Sequence, residues 1–449
     1  MNKLNTSINH NSKDTSLAKS RIHKPSFHHE ISQYITQLDS LAETWPLTIY
    51  AIDLIAEKSI VDADQLKHFP SLPNDIPADH YRQALRVYKR VERANTASDI
   101  ISQSFVVSLV SLYDAFLGAI LRVIFLLKSE SLNLSNIQIS YADLVEYKTV
   151  EDARNHIIEK EIETVLRKSH LEQIKWVENK FDIKLKTDSQ LWVQFFEITE
   201  RRNLFVHSSG KVSQQYLSAC KSTQYSHKYP VARGDTLGVP DDYFPESHEC
   251  VTEVGFELAH TLWRKIFPED RKAADSDLSY ICYELLVEER YKLAQKLLKF
   301  GIGQKKFFSD HYRRTLIINY AQSLKWDGDS KGAVQVVEGE DWSACANEFK
   351  LAEAVLLNDI DRAIAIMRQI GPSSIPSMGD YCEWPLFKEF RKDSKFSSAF
   401  SELFNIPFEE ALKNSQMAIY EQKSEIQKDT VSHSEAEADE LDKSIAEPT

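Results

Sequence analysis

Apolar residues recur three and four positions apart along most of this chain and rarely alternate with polar ones, which is the spacing of helices rather than strands. Residues 30–66 carry such a stripe, beginning at Ile31, Tyr34, Ile35 and Leu38. The proline-punctuated stretch His68 to Ala78, with Pro70, Pro73 and Pro77, reads as a loop. The helical spacing resumes near Asp79 and leads into residues 99–128, the longest apolar run. Asp143 to Glu178 reads as one or two amphipathic helices with a charged outer face. Thr187, Asp188 and Ser189 offer N-caps for a helix from Leu191 to about His207, which Ser208, Ser209 and Gly210 should stop. After a loop-rich stretch, residues 211–250, a helix over Cys250 to Phe267 should close this region at Pro268. With only 12 Gly and 14 Pro in 449 residues, the expected fold class is all-α.

The polar stretch Glu269–Ser276 marks the expected boundary to a second region, 277–412. There the pattern is of helical hairpins, with similar starts at Glu288–Ala294, Gly328–Ala333 and Asn358–Ala363. Each places a small alanine where a second helix would pack on the first. The alanines at 294, 333 and 363 are spaced 39 and 30 residues apart, straddling the roughly 34-residue period of tetratricopeptide repeats. The region is similar to a degenerate tetratricopeptide array, although most of the aromatic signature positions are missing. An unrelated helical bundle is the alternative. The aromatic run Tyr381, Trp384, Phe387, Phe390, Phe396, Phe400 and Phe404 fits a helical core.

Charge narrows the function. The net charge is −13, which argues against a general nucleic-acid coat whose affinity comes from many phosphate contacts, though not against a local site for one phosphodiester. Residues 1–29 are basic and polar, 415–449 acidic and polar, and both read as disordered tails dispensable for folding. No signal peptide is legible at the N-terminus. Phe105 to Leu127 is apolar enough to suggest a membrane span, but Asp114 and Arg122 lie within it, so a buried bundle helix is expected. Five scattered cysteines, with no close pair, point to a reducing, cytoplasmic setting and neither a disulfide framework nor a metal ribbon. His248, Cys250 and His260 fit no usual metal spacing.

Chemistry concentrates in Ile198 to Ser213, which reads ITERRNLFVHSSGKVS. Asn203 and His207 are four apart and share a helix face. Arg202 and His207 are five apart, so on one straight helix they point about 140° away from each other. They can converge only at the helix end or across a symmetry axis between two chains. A histidine can transfer a proton near neutral pH, and an arginine fork matches phosphate oxygens. Asp114, a carboxylate on an apolar helix, requires a partner. Arg202, Arg201 and Arg122 are the candidates, the last making a purely structural contact.

An arginine and a histidine separated by four residues, followed by a small glycine-containing turn, resemble the motif of the HEPN family. The resemblance extends to Ser111–Gly118 (SLYDAFLG) on the apolar helix, and to Gly234–Tyr243 leading into Leu258–Pro268, and covers residues 95–268. Arg154-Asn155-His156 has the wrong spacing. Residues 30–94 would then be preceding helices. The resemblance implies a helical domain that dimerises, bringing two motif copies into one cleft, and in active members a metal-independent ribonuclease. The implied catalytic residues are Arg202, Asn203 and His207, supported by Asp114, with no cofactor and no metal. RNA is the implied substrate, and the C-terminal helices would meet an antitoxin or trigger protein in toxin or antiphage defence. The alternative is a non-catalytic HEPN dimer that serves as a protein-interaction or nucleotide-binding module.

Overall fold

A computed structural model describes residues 25–67, 78–132, 147–187 and 189–417. The proline-rich loop after 67, the break after the long apolar helix, most of the basic N-terminus and the acidic end lie outside those residues. Every regular element among the described residues is helical, and the fold is all-α. The chain divides into two compact units, and the division falls between Asp277 and Leu278.

The first unit contains α1 (Phe27–Lys67), α2 (Ala78–Leu127), α3 (Val150–Leu166), α4 (His170–Phe181), α5 (Gln190–Ser208), α6 (Gln214–Thr223) and α7 (Tyr243–Ile266). Its centre is α2, against which α1, α3, α5 and α7 pack. The apolar positions of α2 explain this. Val106, Leu109, Val110, Tyr113, Leu117, Ile120, Leu121 and Ile124 are each at most 1% exposed. The segment Leu85–Leu127 is long and apolar enough to cross a membrane, and 61% of its apolar window is buried inside the protein. Close helix approach is set by glycine. At Gly118 a side-chain carbon would touch Leu166 of α3 at 3.3 Å. At Gly255 of α7 it would meet the Tyr34 ring, whose Cζ and Oη lie at 2.7 Å. Tyr34 also stacks on Phe116 at 4.0 Å and donates to the Val251 carbonyl at 2.7 Å, tying α1, α2 and α7 together.

Several boundaries differ from the sequence expectation. The polar N-terminal tail was expected through residue 29, but α1 begins at Phe27, which is 3% exposed and stacks on Trp263 at 5.2 Å. An aromatic ring with a partner outweighs the polar composition around it. Helix α2 runs unbroken across residues 94 and 95, so no structural break falls at the start of the segment 95–268. Helix α7 starts at Tyr243, seven residues before Cys250, because Pro245 sits in the first turn, where a proline lacks nothing that the helix needs. A helix over 408–417 carries order past residue 415.

The second unit begins within α8 (Arg271–Val287) and continues through α9 (Tyr291–Ile302), α10 (Asp310–Trp326), α11 (Ser330–Glu338), α12 (Asn347–Leu356), α13 (Ile360–Ile370), α14 (Met378–Glu383), α15 (Ser394–Phe404) and α16 (408–417). Three hairpins, α8–α9, α10–α11 and α12–α13, turn by one device. Glu289, Gly328 and Asn358 each take a positive φ of 59°, 98° and 59°. The amide of the next residue reaches back to the carbonyl five positions earlier, as in Arg290 to Leu285, Asp329 to Leu324 and Asp359 to Ala354 at 2.9 Å each. Ala294, Ala333 and Ala363, expected at the hairpin contacts, are all 0% exposed. Tyr381, Phe387, Phe390, Phe396 and Phe400 form a buried aromatic core at the C-terminal end.

Candidate functional site

Helix α5 presents the motif because its other face is tightly held. Trp192, Phe195, Phe196, Ile198, Leu204 and Phe205 are buried, packing α5 against α2 and α7. The helix stops as expected, with Ser209 and Gly210 at φ 48° and 81°. A side-chain carbon at Gly210 would collide with the Leu237 carbonyl. The following strip is fastened by backbone bonds, Leu237 N to Gly210 O at 2.9 Å, Val212 N to Asp235 O at 2.8 Å and Gly234 N to Val212 O at 3.0 Å. An isolated bridge pairs Lys211 with Thr236.

Arg202 of α5 donates through Nη2 to Asp114 Oδ2 of α2 at 2.7 Å. Of the three candidate partners for Asp114, this is the one that the fold supplies. Arg122 instead pairs with Glu159 at 2.6 Å, and Arg201 with Glu197 at 2.7 Å, so the structural Asp114–Arg122 contact does not form. The second oxygen of Asp114 lies 3.0 Å from His170 Nε2, at the first residue of α4. His170 is 7% exposed and stays in place because Ser169 and Glu172 close a capping box at that helix start. Sequence reasoning did not single out His170. It lies 56 residues from Asp114 and belongs to no motif; only the Ser169-x-x-Glu172 cap signalled a fixed helix start there.

Asn203 accepts from Arg202 Nη1 at 3.2 Å. It also hydrogen-bonds Glu200, whose carboxyl burial pushes above its ordinary range, while that bond and the charges of His170 and Arg202 pull it back. Asp114, His170, Arg202, Asn203 and Glu200 thus form one polar cluster over three helices. Arg202 Nε is buried and has no acceptor among the described residues. His207 stands apart. It is exposed in the last turn of α5 and makes no hydrogen bond or ion pair to Arg202, Asn203 or Asp114 among the described residues.

Behind the cluster, Glu197 is 1% exposed and takes three donors, namely Arg201, Tyr216 at 2.6 Å and Tyr243 at 2.9 Å. Arg201 also lies over the Tyr243 ring at 4.0 Å. A buried charge supplied with this many partners is a brace between α5, α6 and α7. A cavity of about 340 Å³ opens beside it, lined by Ser169, Glu197, Glu200, Gln215, Cys220 and Thr223 among others. Burial pushes the Cys220 thiol up to about 11, which keeps it protonated at neutral pH. His248 and His260 are buried and face Asp39 at 3.4 Å and Asp277 at 3.2 Å. No group of three metal-ligating side chains occurs among the described residues. Comparison with known proteins finds no match, whether to a family model, a curated protein or a solved structure.

Proposed function

We propose that this protein is a metal-independent RNA endonuclease of the HEPN type, working as a homodimer in the cytoplasm in toxin or antiphage defence. The observation that carries the reading is the Arg202–Asp114 bond, which aims a charged fork from the motif helix while leaving part of its donor set unused. In the reaction, the 2′-oxygen of RNA bonds to the adjacent phosphorus and the bond from phosphorus to the 5′-oxygen breaks. One proton leaves the 2′-hydroxyl and one reaches the departing 5′-oxygen. His207 moves one of these protons. Arg202 neutralises the doubly charged phosphorane with its planar fork. Asn203 steadies the fork, Asp114 holds it, and His170 fixes Asp114.

The separation of His207 from Arg202 along one helix supports a cleft in which each motif is completed by a second copy. The same separation also favours a second reading, a non-catalytic dimer that presents the helical hairpins to another protein. Incubating the purified full chain with structured and single-stranded RNA decides between them. Cleavage to 2′,3′-cyclic phosphate ends in the presence of EDTA, lost in His207→Ala, supports the ribonuclease. Intact RNA under all conditions, or cleavage equal in His207→Ala, leaves the interaction module.

A further inference from the structure

Helix α1 is apolar on two opposite sides, and among the described residues only one is covered. On the covered side Trp45 and Ile52 are buried, Trp45 stacking on Phe244 of α7 at 4.6 Å and meeting Phe105 of α2 edge-on at 5.2 Å. At 100° per residue, Leu47, Tyr50 and Leu54 point about 170° away from that pair. They are 69%, 63% and 46% exposed. A single exposed leucine is ordinary, but three large apolar side chains on one stripe mark a contact surface. Glu43 and Lys58 are exposed as well and extend the stripe at its two ends. The five residues follow at intervals of four, three, four and four, within an arc of about 80°.

The stripe is symmetric about its middle. Leu47 and Leu54 lie equally far from the point between Tyr50 and Ala51, and so do Glu43 and Lys58. Turned end for end, the stripe therefore sets leucine on leucine and acid on base.

We infer that this face of α1 docks a second copy of the chain, the two α1 helices running antiparallel about a two-fold axis between Tyr50 and Ala51. Each Leu47 packs on Leu54 of the other copy, each Glu43 comes opposite Lys58, and every contact is made twice, as in any isologous interface. The spacing of Glu43, Leu47, Tyr50 and Leu54 is that of a two-helix seam. A lipid surface suits the stripe less well. Helix α1 carries seven carboxylates against two lysines, whereas helices that lie on anionic bilayers are rich in lysine and arginine. The stripe lies outside residues 95–268, and the inference needs neither the motif nor RNA.

The test is sedimentation of the full chain over a range of concentrations, joined to cysteine cross-linking. Leu47→Asp combined with Leu54→Asp should raise the dissociation constant of this contact by roughly 100-fold, since each change acts twice in the dimer. Glu43→Lys should raise it by about tenfold, because both charge pairs become repulsive, and adding Lys58→Glu should restore it. Where the motif cleft also joins two chains, these variants reduce a larger assembly to that dimer and leave RNA cleavage unchanged. Failure of this contact and failure of the ribonuclease reading are thus read separately. For orientation, Leu47→Cys and Leu54→Cys proteins are mixed and oxidised in a Cys345→Ser background, the other four cysteines being buried. The mixture should link several-fold more than either protein alone, because like positions sit about 10 Å apart along the axis, beyond disulfide reach. Helical circular dichroism shows that each variant folds; if the aspartate pair does not, the charge variants carry the test. The inference is overturned if the full chain is monomeric at about 100 µM. It is overturned equally if association is indifferent to every folded variant, if the double charge reversal fails to restore it, or if single cysteine proteins link as well as the mixture. A monomeric chain that binds phosphatidylcholine vesicles through these leucines would give the stripe to a lipid surface and overturn it too.

Discussion

Asp114 on α2 grips Arg202 on α5 at 2.7 Å across 88 residues of sequence, and its other oxygen meets His170. One carboxylate therefore orients a cation and is itself oriented by a buried imidazole. Asp114→Asn preserves the shape but removes the charge that holds the fork. RNA cleavage by this variant should fall by roughly 10²-fold, the cost of a misplaced catalytic group, with little change in melting temperature. A loss confined to KM would instead assign Asp114 to substrate binding.

If each cleft is shared, the motif can be split between subunits. Arg202→Ala and His207→Ala should each be inactive alone, with losses on the order of 10² or more. Mixing them after partial unfolding and refolding should restore part of the activity, because the mixed dimer keeps one intact pair. Absence of any rescue, with dimers confirmed by light scattering, would place both residues' work within one chain.

Glu257 gives a pH-dependent prediction. Burial, then the nearby Glu253, pushes its carboxyl up to about 7, against the opposing charge of Lys186. The folded protein therefore holds a proton that the unfolded chain releases near 4.5, and stability falls as pH rises from there through about 7. Glu257→Gln should raise stability by roughly 1–3 kcal/mol above pH 7 and by little at pH 4.5, as read by denaturant melts at both values.

Phe27 tests the revised N-terminus. Phe27→Ala removes a ring stacked on Trp263 and set edge-on to Phe267, at a cost of about 3 kcal/mol. A truncation ending before Phe27 should leave that packing untouched, so the two should differ sharply in thermal melting.

Gly255→Ala should destabilise by roughly 1–3 kcal/mol, since its methyl group meets the Tyr34 ring in a filled core. Gly238 has open space at the same position and an unstrained φ, so Gly238→Ala is the matched control with no loss. Equal melting of the two variants would refute the close approach of α1 and α7.

The sequence made local features legible and tertiary ones only in part. Ser209 and Gly210 announce a helix stop because a glycine tolerates positive φ. The hairpin turns at Gly328 and Asn358 are legible because glycine and asparagine take the left-handed conformation most readily, whereas Glu289 adopts positive φ without any residue-type signal. Asp114 could be read as needing a partner, because a carboxylate on an apolar helix is costly alone. Which arginine answers depends on where α5 crosses α2, and that is set by packing. His170 was invisible because only the fold places the start of α4 against Asp114. At residues 94 and 95, where the family resemblance begins, the helical spacing continues and α2 runs through.

The fastened strip after Gly210 limits what His207 can do. Backbone bonds from Gly210, Val212 and Gly234 hold the ground on which the last turn of α5 stands, so its carrier has little freedom to bend or unwind. The imidazole can sweep only the small dome that two side-chain torsions allow. On the ribonuclease reading, a phosphate would have to be delivered into that dome from outside, by the curvature of an RNA strand and the face of a second copy. Selectivity for one RNA over another would then be decided by which strands can bend to reach a fixed point, with little part for the chemistry of their bases.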